Sequence, residues 1–294
     1  MEKLSPDYIS HEWVLDKGEC SLLGFFGDDN MIADTARVSY RKGTKQNSTD
    51  DQLIRYLMRN KHTGPFEHVS VRLYLKAPLF VIQQLLRHRT FKFNQASARY
   101  SEMLNESYIP LLEHITTQDA KNKQSRTNIT LANDSDMQDL ISTGAEVAFC
   151  DYNTMLQNGV ARELARINIP HGTYSEIIVT ADLHNLLHFL KLRLDPHAQM
   201  EIRAYAEPIY QFVKGLFPST IKAWEDCVLN SFTLTVQMQD TFCNMLTTLA
   251  YGNLDCSNDK ELFETIDNEI ERTSWPSKSE KKQFRDWLVN KLRV

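Results

Sequence analysis

Cysteine is scarce: five in 294 residues, at Cys20, Cys150, Cys227, Cys243 and Cys256. The number is odd, none lies in a C-x-x-C pair, and no signal-like apolar segment precedes them. A disulfide scaffold is therefore excluded, and reduced thiols in a cytoplasmic protein are expected. Positive charge is also in short supply, with 33 Lys and Arg against 38 Asp and Glu, a net charge of −5. A chain-wide basic surface for nucleic acid is excluded, so any anion site must be local. No apolar run reaches the roughly 18 residues a membrane span needs, and no fixed-period repeat suggests a solenoid or propeller. What remains is an ordinary globular composition, 42% hydrophobic and 24% charged. At this length the chain can bury a large core as one domain or two.

The hydrophobic pattern predicts mostly helix with one modest sheet. Asp28 to Arg41 reads as helix into turn, and Asp50 to Asn60 places Leu53, Ile54, Leu57 and Met58 at helical spacing. From Glu67 the period becomes two: Val69, Val71, Leu73 and Leu75 alternate with His68, Ser70, Arg72, Tyr74 and Lys76, a half-buried strand. Pro78 suits the first turn of an apolar helix running to Arg87. Residues 116–138 are polar throughout and read as a long surface insertion without chemistry. Ile141, Ala145, Ala148, Tyr152 and Met155 resume a helix that Gly159 should stop, and a short helix ends at Pro170. Asp195 and Pro196 look like N-cap and first-turn proline of a helix carrying Ile202, Tyr205, Ile209 and Phe212, with a kink at Pro208. Residues 217–294 form a helical extension to a domain of 1–216, its last helix opened by Ser277 and Glu280 at capping-box spacing.

The densest polar cluster runs from Arg87 to Glu102. A solvated helix face or a weak nucleic-acid patch is the bland reading. Three consecutive residues Arg87, His88 and Arg89 splay around about 200° of a helix, which suits a helix end radiating around a ligand better than a face. Ala96, Ser97 and Ala98 then let a phosphate approach backbone amides and a hydroxyl, with Arg99 beside them as a charged fork.

Arg87-His88-Arg89, seven residues and Ser97 resemble the signature of flavin-dependent thymidylate synthase. Four more segments resemble that family in the same order: Ala36 to Tyr40, His62 to His68, Ala165 to Pro170 and Leu192 to Gln199. The resemblance spans about Ala33 to Glu207, and five ordered motifs carry far more weight than any one alone. The resemblance implies an α+β fold, helices flanking a largely antiparallel sheet, and reductive methylation of dUMP to dTMP. FAD would be the cofactor, with NADPH and methylenetetrahydrofolate as co-substrates and a homotetramer as the assembly. It implies dUMP on Gln84, Arg87, Gln95, Ala96, Ser97, Ala98, Arg99, Arg166 and Arg193, with Arg193 the catalytic group. FAD would lie on His62, Gly64, Glu67, Arg87, His88, Arg89, Gln95, Asp182, His184 and His188.

Four positions depart from the pattern. Gly64 stands for Ser or Thr, Gln95 for Glu, Asp182 for Asn and His184 for Arg, which motivates an alternative: a flavin- or nucleotide-binding relative with impaired turnover. An RNA-binding module using Phe91 and Phe93 as stacking platforms is a third possibility, disfavoured by the acidic total. Ser97 lacks an oriented base and is expected to hold phosphate rather than attack. No cysteine sits in a Pro-Cys-His setting, so thiol activation of a pyrimidine is disfavoured. His184 and His188 share a helical face but lack the intervening glutamate of a zinc motif, so no metal is assigned.

Overall fold

A computed structural model describes residues 7–39, 48–120, 125–251, 259–275 and 278–292. Strands β1 (Ser10–Val14), β2 (Gly18–Phe26), β3 (Ser70–Pro78), β4 (Lys92–Gln95) and β7 (Tyr174–Asp182) form one sheet in the order β1-β2-β3-β7-β4, every pair antiparallel. Strands β5 (Thr116–Gln118) and β6 (Arg126–Thr130) form a separate hairpin. The helices are α1 (Asp29–Arg37), α2 (Asp50–Arg59), α3 (Leu79–Leu85), α4 (Asp134–Gln157), α5 (Arg162–Ala165), α6 (Leu183–Arg193), α7 (Met200–Leu216) and α8 (Pro218–Trp224). Beyond them lie α9 (Val236–Tyr251), α10 (Asp259–Arg272) and α11 (Lys278–Leu292).

Period-two alternation decides which sheet face is dry. Val71, Leu73, Leu75 and Ala77 of β3 join Cys20 and Leu22 of β2 and Ile177, Val179 and Ala181 of β7 in the main core. The same core takes Leu186, Leu187 and Leu190 from α6 and Ile202, Tyr205 and Ile209 from α7. On the opposite face Lys76 is buried but paired with Glu106 at 2.5 Å, and the Tyr74 hydroxyl donates to Glu176 at 2.6 Å. Polar partners thus satisfy what the apolar face excludes.

The strand begins at Ser70, later than the alternation from Val69 implies, because Gly64–His68 form a 3-10 turn. The described residues of the polar insertion include β5, β6 and the first turn of α4, with Thr116 opposite Thr130 and Gln118 opposite Arg126. Its strands bury backbone polarity in each other rather than side chains in a core, so no hydrophobic period announced them. α7 starts at Met200, not at Pro196. The Asp195 carboxylate instead accepts from the His197 backbone N–H at 2.8 Å and lies 2.9 Å from its Nδ1, closing a local turn. α7 continues through Pro208. Gly159 follows the α4 C-cap at φ +81, the left-handed stop its position implied.

The chain divides into two compact units, 1–229 and 230–294. The division falls beyond 216 because Phe217, Ile221 and Trp224 belong to the core of the first unit. Asp29 of α1 accepts hydrogen bonds from the backbone of Ser219 and Thr220 and from the Thr220 hydroxyl, fixing the start of α8. The second unit has its own core of Met238, Met245, Ile266, Ile270, Phe284 and Leu288, with Phe232 and Trp287 stacked at 5.3 Å. Ser277 lies outside the described residues. Glu280 accepts from the Thr235 hydroxyl at 2.7 Å.

Candidate active site

Two helix ends meet to form the centre of the site. α3 stops at Leu85 with Leu86 as its C-cap, and a turn with His88 N–H on the Leu85 carbonyl (3.0 Å) tucks the His88 ring inward. The ring packs against Phe91 and Phe189 at 5.6 and 4.9 Å and is 8% exposed. α6 runs from Asp182, whose carboxylate accepts the Asn185 N–H at 2.9 Å as N-cap, and ends at Arg193. There the Arg193 Nε donates to His88 Nε2 at 3.2 Å.

Burial first, then the positive charge of Arg193 and then His188, push the His88 pKa down to about 4. His88 is therefore neutral at physiological pH, with Nε2 as acceptor and the proton on Nδ1. Burial also lowers the Arg193 pKa from its ordinary value, although a guanidinium stays protonated. The result is a fixed cation whose Nε is committed.

A second region lies along the outer face of α6, where His184, His188 and Lys191 follow one another at helical spacing. Here α2 ends in a left-handed residue, Lys61 at φ +57, with His62 N–H on the Leu57 carbonyl at 2.9 Å and Lys61 N–H on Met58 at 3.2 Å. This reciprocal closure turns His62 and Thr63 toward α6. A cleft of about 270 Å³ opens between them, walled by Leu57, Phe66, Leu187 and Trp224 and edged by His62, Thr63, His184 and His188. Apolar walls with a few polar groups at the rim suit the flat part of a flavin nucleotide. Lys191 is spoken for, donating to the Val228 and Leu229 carbonyls at 2.7 and 2.9 Å.

The remaining expected residues are less concentrated. Gln95 ends β4 and donates to the Ser175 hydroxyl at 3.1 Å. Ser97 opens a turn whose carbonyl accepts from Tyr100 and Ser101, and the Arg99 N–H reaches the Ser97 Oγ at 3.3 Å. The Arg99 guanidinium pairs with Glu163 at 3.2 Å. Arg87, Arg89, Ala96 and Arg166 are exposed on the single chain, and Ala98 is half-buried. Gly64 and Glu67 are exposed at the 3-10 turn, where Glu67 accepts from the Thr63 hydroxyl at 3.2 Å. Asp182 is spent on its cap, taking both the backbone and the side-chain amide of Asn185.

Sequence reasoning left several participants unassigned. Leu187 and Trp224 line the cleft, and Trp224 stands beyond the expected domain end. Thr63 and Phe66, which also line it, fall within the His62 to Glu67 segment that the resemblance assigns to FAD. Gln84 donates to Gln199, and Gln199 donates onward to Glu201 at 2.9 Å. Gln199 closes the last of the resembling segments, which was the available signal. Glu201 had none, since a lone acid in a helix reads as surface.

Fold and site together define an antiparallel α+β protein in which α6 carries an arginine held against a buried histidine at its end and an apolar cleft along its outer face. Residues 21–219 match the family described as Thymidylate synthase complementing protein. The chain is 42% identical over 229 residues to the flavin-dependent thymidylate synthase of Gluconobacter oxydans, covering 76% of each chain. It is 44% identical over 225 residues to that of Ehrlichia ruminantium (strain Gardel), covering 76% of this chain and 75% of the relative. Among solved structures it resembles a UMP/dUMP methylase, PolB from Streptomyces cacaoi bound with 5-Br UMP. That match has a TM-score of 0.66 and 34% identity, and covers 72% of this chain and 95% of that one. The chain belongs to the flavin-dependent thymidylate synthase family.

Proposed function

We propose that this enzyme converts dUMP to dTMP without a cysteine nucleophile, taking its carbon from methylenetetrahydrofolate and its reducing equivalents from NADPH through FAD. The observation that carries the proposal is the Arg193–His88 pair, a permanent cation oriented by a neutral ring. Uracil C5 is a poor nucleophile. Without thiolate addition at C6, electron density must be drawn into the ring by stabilising negative charge on the pyrimidine, and a preoriented guanidinium in a dry site does this. Arg193 acts electrostatically and not as a base, because its proton is too tightly held. When bound, FAD supplies the redox chemistry that turns a transferred methylene into a methyl group.

Gln84, Arg87, Gln95 to Arg99 and Arg166 would bind the nucleotide, with the Ser97 turn and arginines taking the phosphate. The α6 cleft residues His62, His184 and His188 would hold the flavin nucleotide, together with Gly64, Glu67, His88 and Arg89. A homotetramer belongs to the same proposal, with another copy completing the pocket around Arg87, Arg89 and Arg166, which lie exposed on the single chain. No described helix is long and apolar enough to cross a membrane. A cytoplasmic location belongs to the same proposal.

The test is dTMP formation and NADPH-dependent release of the C5 hydrogen of dUMP. Arg193→Ala is expected to reduce turnover by at least about a hundredfold, the scale of losing a preorganised charge stabiliser, while the purified protein stays yellow. Near-normal turnover in that variant would defeat the assignment. A yellow wild-type protein that releases no C5 hydrogen would instead favour the impaired relative.

A further inference from the structure

One buried carboxylate lies behind the proposed nucleotide pocket with no role in the chemistry above. Glu201, in the first turn of α7, is 3% exposed. Its Oε1 accepts from Arg126 Nη2 at 2.9 Å and from the Tyr108 hydroxyl at 3.3 Å. Its Oε2 accepts from Gln199 Nε2 at 2.9 Å, and Gln199 Oε1 accepts from Gln84 Nε2. Three elements bond to it, the β6 strand through Arg126, the loop holding Tyr108 and the turn before α7 through Gln199, and α3 is linked at one remove through Gln84.

We infer that Glu201 is a positioning residue that fixes the amide polarity of Gln84, so that Gln84 presents its carbonyl oxygen, and not its NH2, to the nucleotide. A carboxylate paired with Arg126 can only accept hydrogen bonds. Gln199 must therefore turn its NH2 toward Glu201, which leaves its oxygen facing α3. Gln84 must in turn offer its NH2 to that oxygen, and its own oxygen, at the other end of the planar amide, is turned away from Gln199. A glutamine amide is nearly symmetric in shape, so packing alone selects neither orientation; the direction is dictated by the charged end of the relay. The substrate feature this selects is a hydrogen-bond donor, either an imide N–H or a sugar hydroxyl. The ordered hairpin contributes by holding the carboxylate: Arg126 also donates to the His114 carbonyl at 3.3 Å.

The inference rests on the reading that Gln84 faces the nucleotide, and one set of variants separates the two. Glu201→Gln keeps shape but can donate, so the relay can reverse and Gln84 then offers NH2 where an oxygen is needed. Gln199→Ala breaks the relay without disturbing the buried pair. Dissociation constants for dUMP are measured by calorimetry on the FAD-loaded enzyme, alongside KM, kcat and thermal midpoint.

Each variant is expected to weaken dUMP binding about tenfold and raise KM to match, with kcat at saturating dUMP and flavin content within about twofold of wild type. In a Gln84→Ala background, Glu201→Gln should add nothing to the loss. Full additivity in that background, or unchanged dUMP affinity in both Glu201→Gln and Gln199→Ala, overturns the relay while leaving the proposed function standing. A Gln84→Ala variant with unchanged dUMP affinity overturns the placement of the nucleotide, and the relay falls with it. A purely packing role for Glu201 would lower the thermal midpoint and not split KM from kcat.

Discussion

Arg193 and His88 determine each other's state. Because the ring is buried beside a guanidinium, its pKa falls from the ordinary 6.5 to about 4. Between those values the unfolded chain takes up a proton that the folded chain refuses. Stability is therefore fully present above pH 6.5 and falls as the pH drops through that window. Urea unfolding followed from pH 7 to pH 4 should show this slope, and His88→Asn should flatten it; an unchanged slope in the variant would assign the effect elsewhere. Gly64 is the clearest residue-scale departure from the family's motif. An added Cβ there meets nothing within 4 Å, so no packing reason excludes a side chain. Gly64→Ser is expected to change stability by less than about 0.5 kcal/mol. It should also tighten FAD by roughly fivefold through one recovered hydrogen bond. Weaker FAD binding measured by fluorescence titration would show that the hydroxyl has no partner here.

At the scale of elements, α8 decides where the first unit ends. Ile221 and Trp224 of this helix and Phe217 just before it are almost fully buried, and Trp224 also walls the cleft beside α6. Losing even one large buried side chain costs about 3–5 kcal/mol, against a total stability of about 5–15. A chain ending at Leu216 should therefore lose cooperative unfolding by circular dichroism, whereas one ending at Leu229 keeps it. Cooperative melting of the shorter chain would contradict this boundary. The same scale shows what the sequence could and could not announce. The α2 and β3 periods were legible because each buries one face against the core. The β5–β6 hairpin was not, because its stabilising contacts are backbone pairing and the Arg126–Glu201 ion pair, neither of which leaves a hydrophobic period. Asp195 misled in the other direction, since a carboxylate closes a turn on His197 by the same chemistry with which it caps a helix.

For the whole molecule, the motifs along the chain nominate residues by type, and only the fold shows which of them meet. Residues far apart in sequence, such as His88 and Arg193 or Gln84 and Gln199, were each recognisable by type; their pairing is a product of how α3, α6 and α7 pack. Tyr108, Arg126 and Glu201 were not recognisable at all, since single polar residues acquire meaning only when burial brings them together. Cys20 is buried in the core, where desolvation pushes its thiol pKa far up, while Cys150 and Cys243 are exposed and none lines the α6 cleft. Cys256 lies outside the described residues.

The most direct measurement of a thiol-independent methylation is dTMP formation by a variant with no cysteine, carrying Cys20→Ala and Ser at Cys150, Cys227, Cys243 and Cys256. With FAD, NADPH, methylenetetrahydrofolate and dUMP supplied, turnover should stay within about twofold of wild type, the range of small surface and core adjustments. A folded, yellow, cysteine-free protein that no longer makes dTMP would contradict the account.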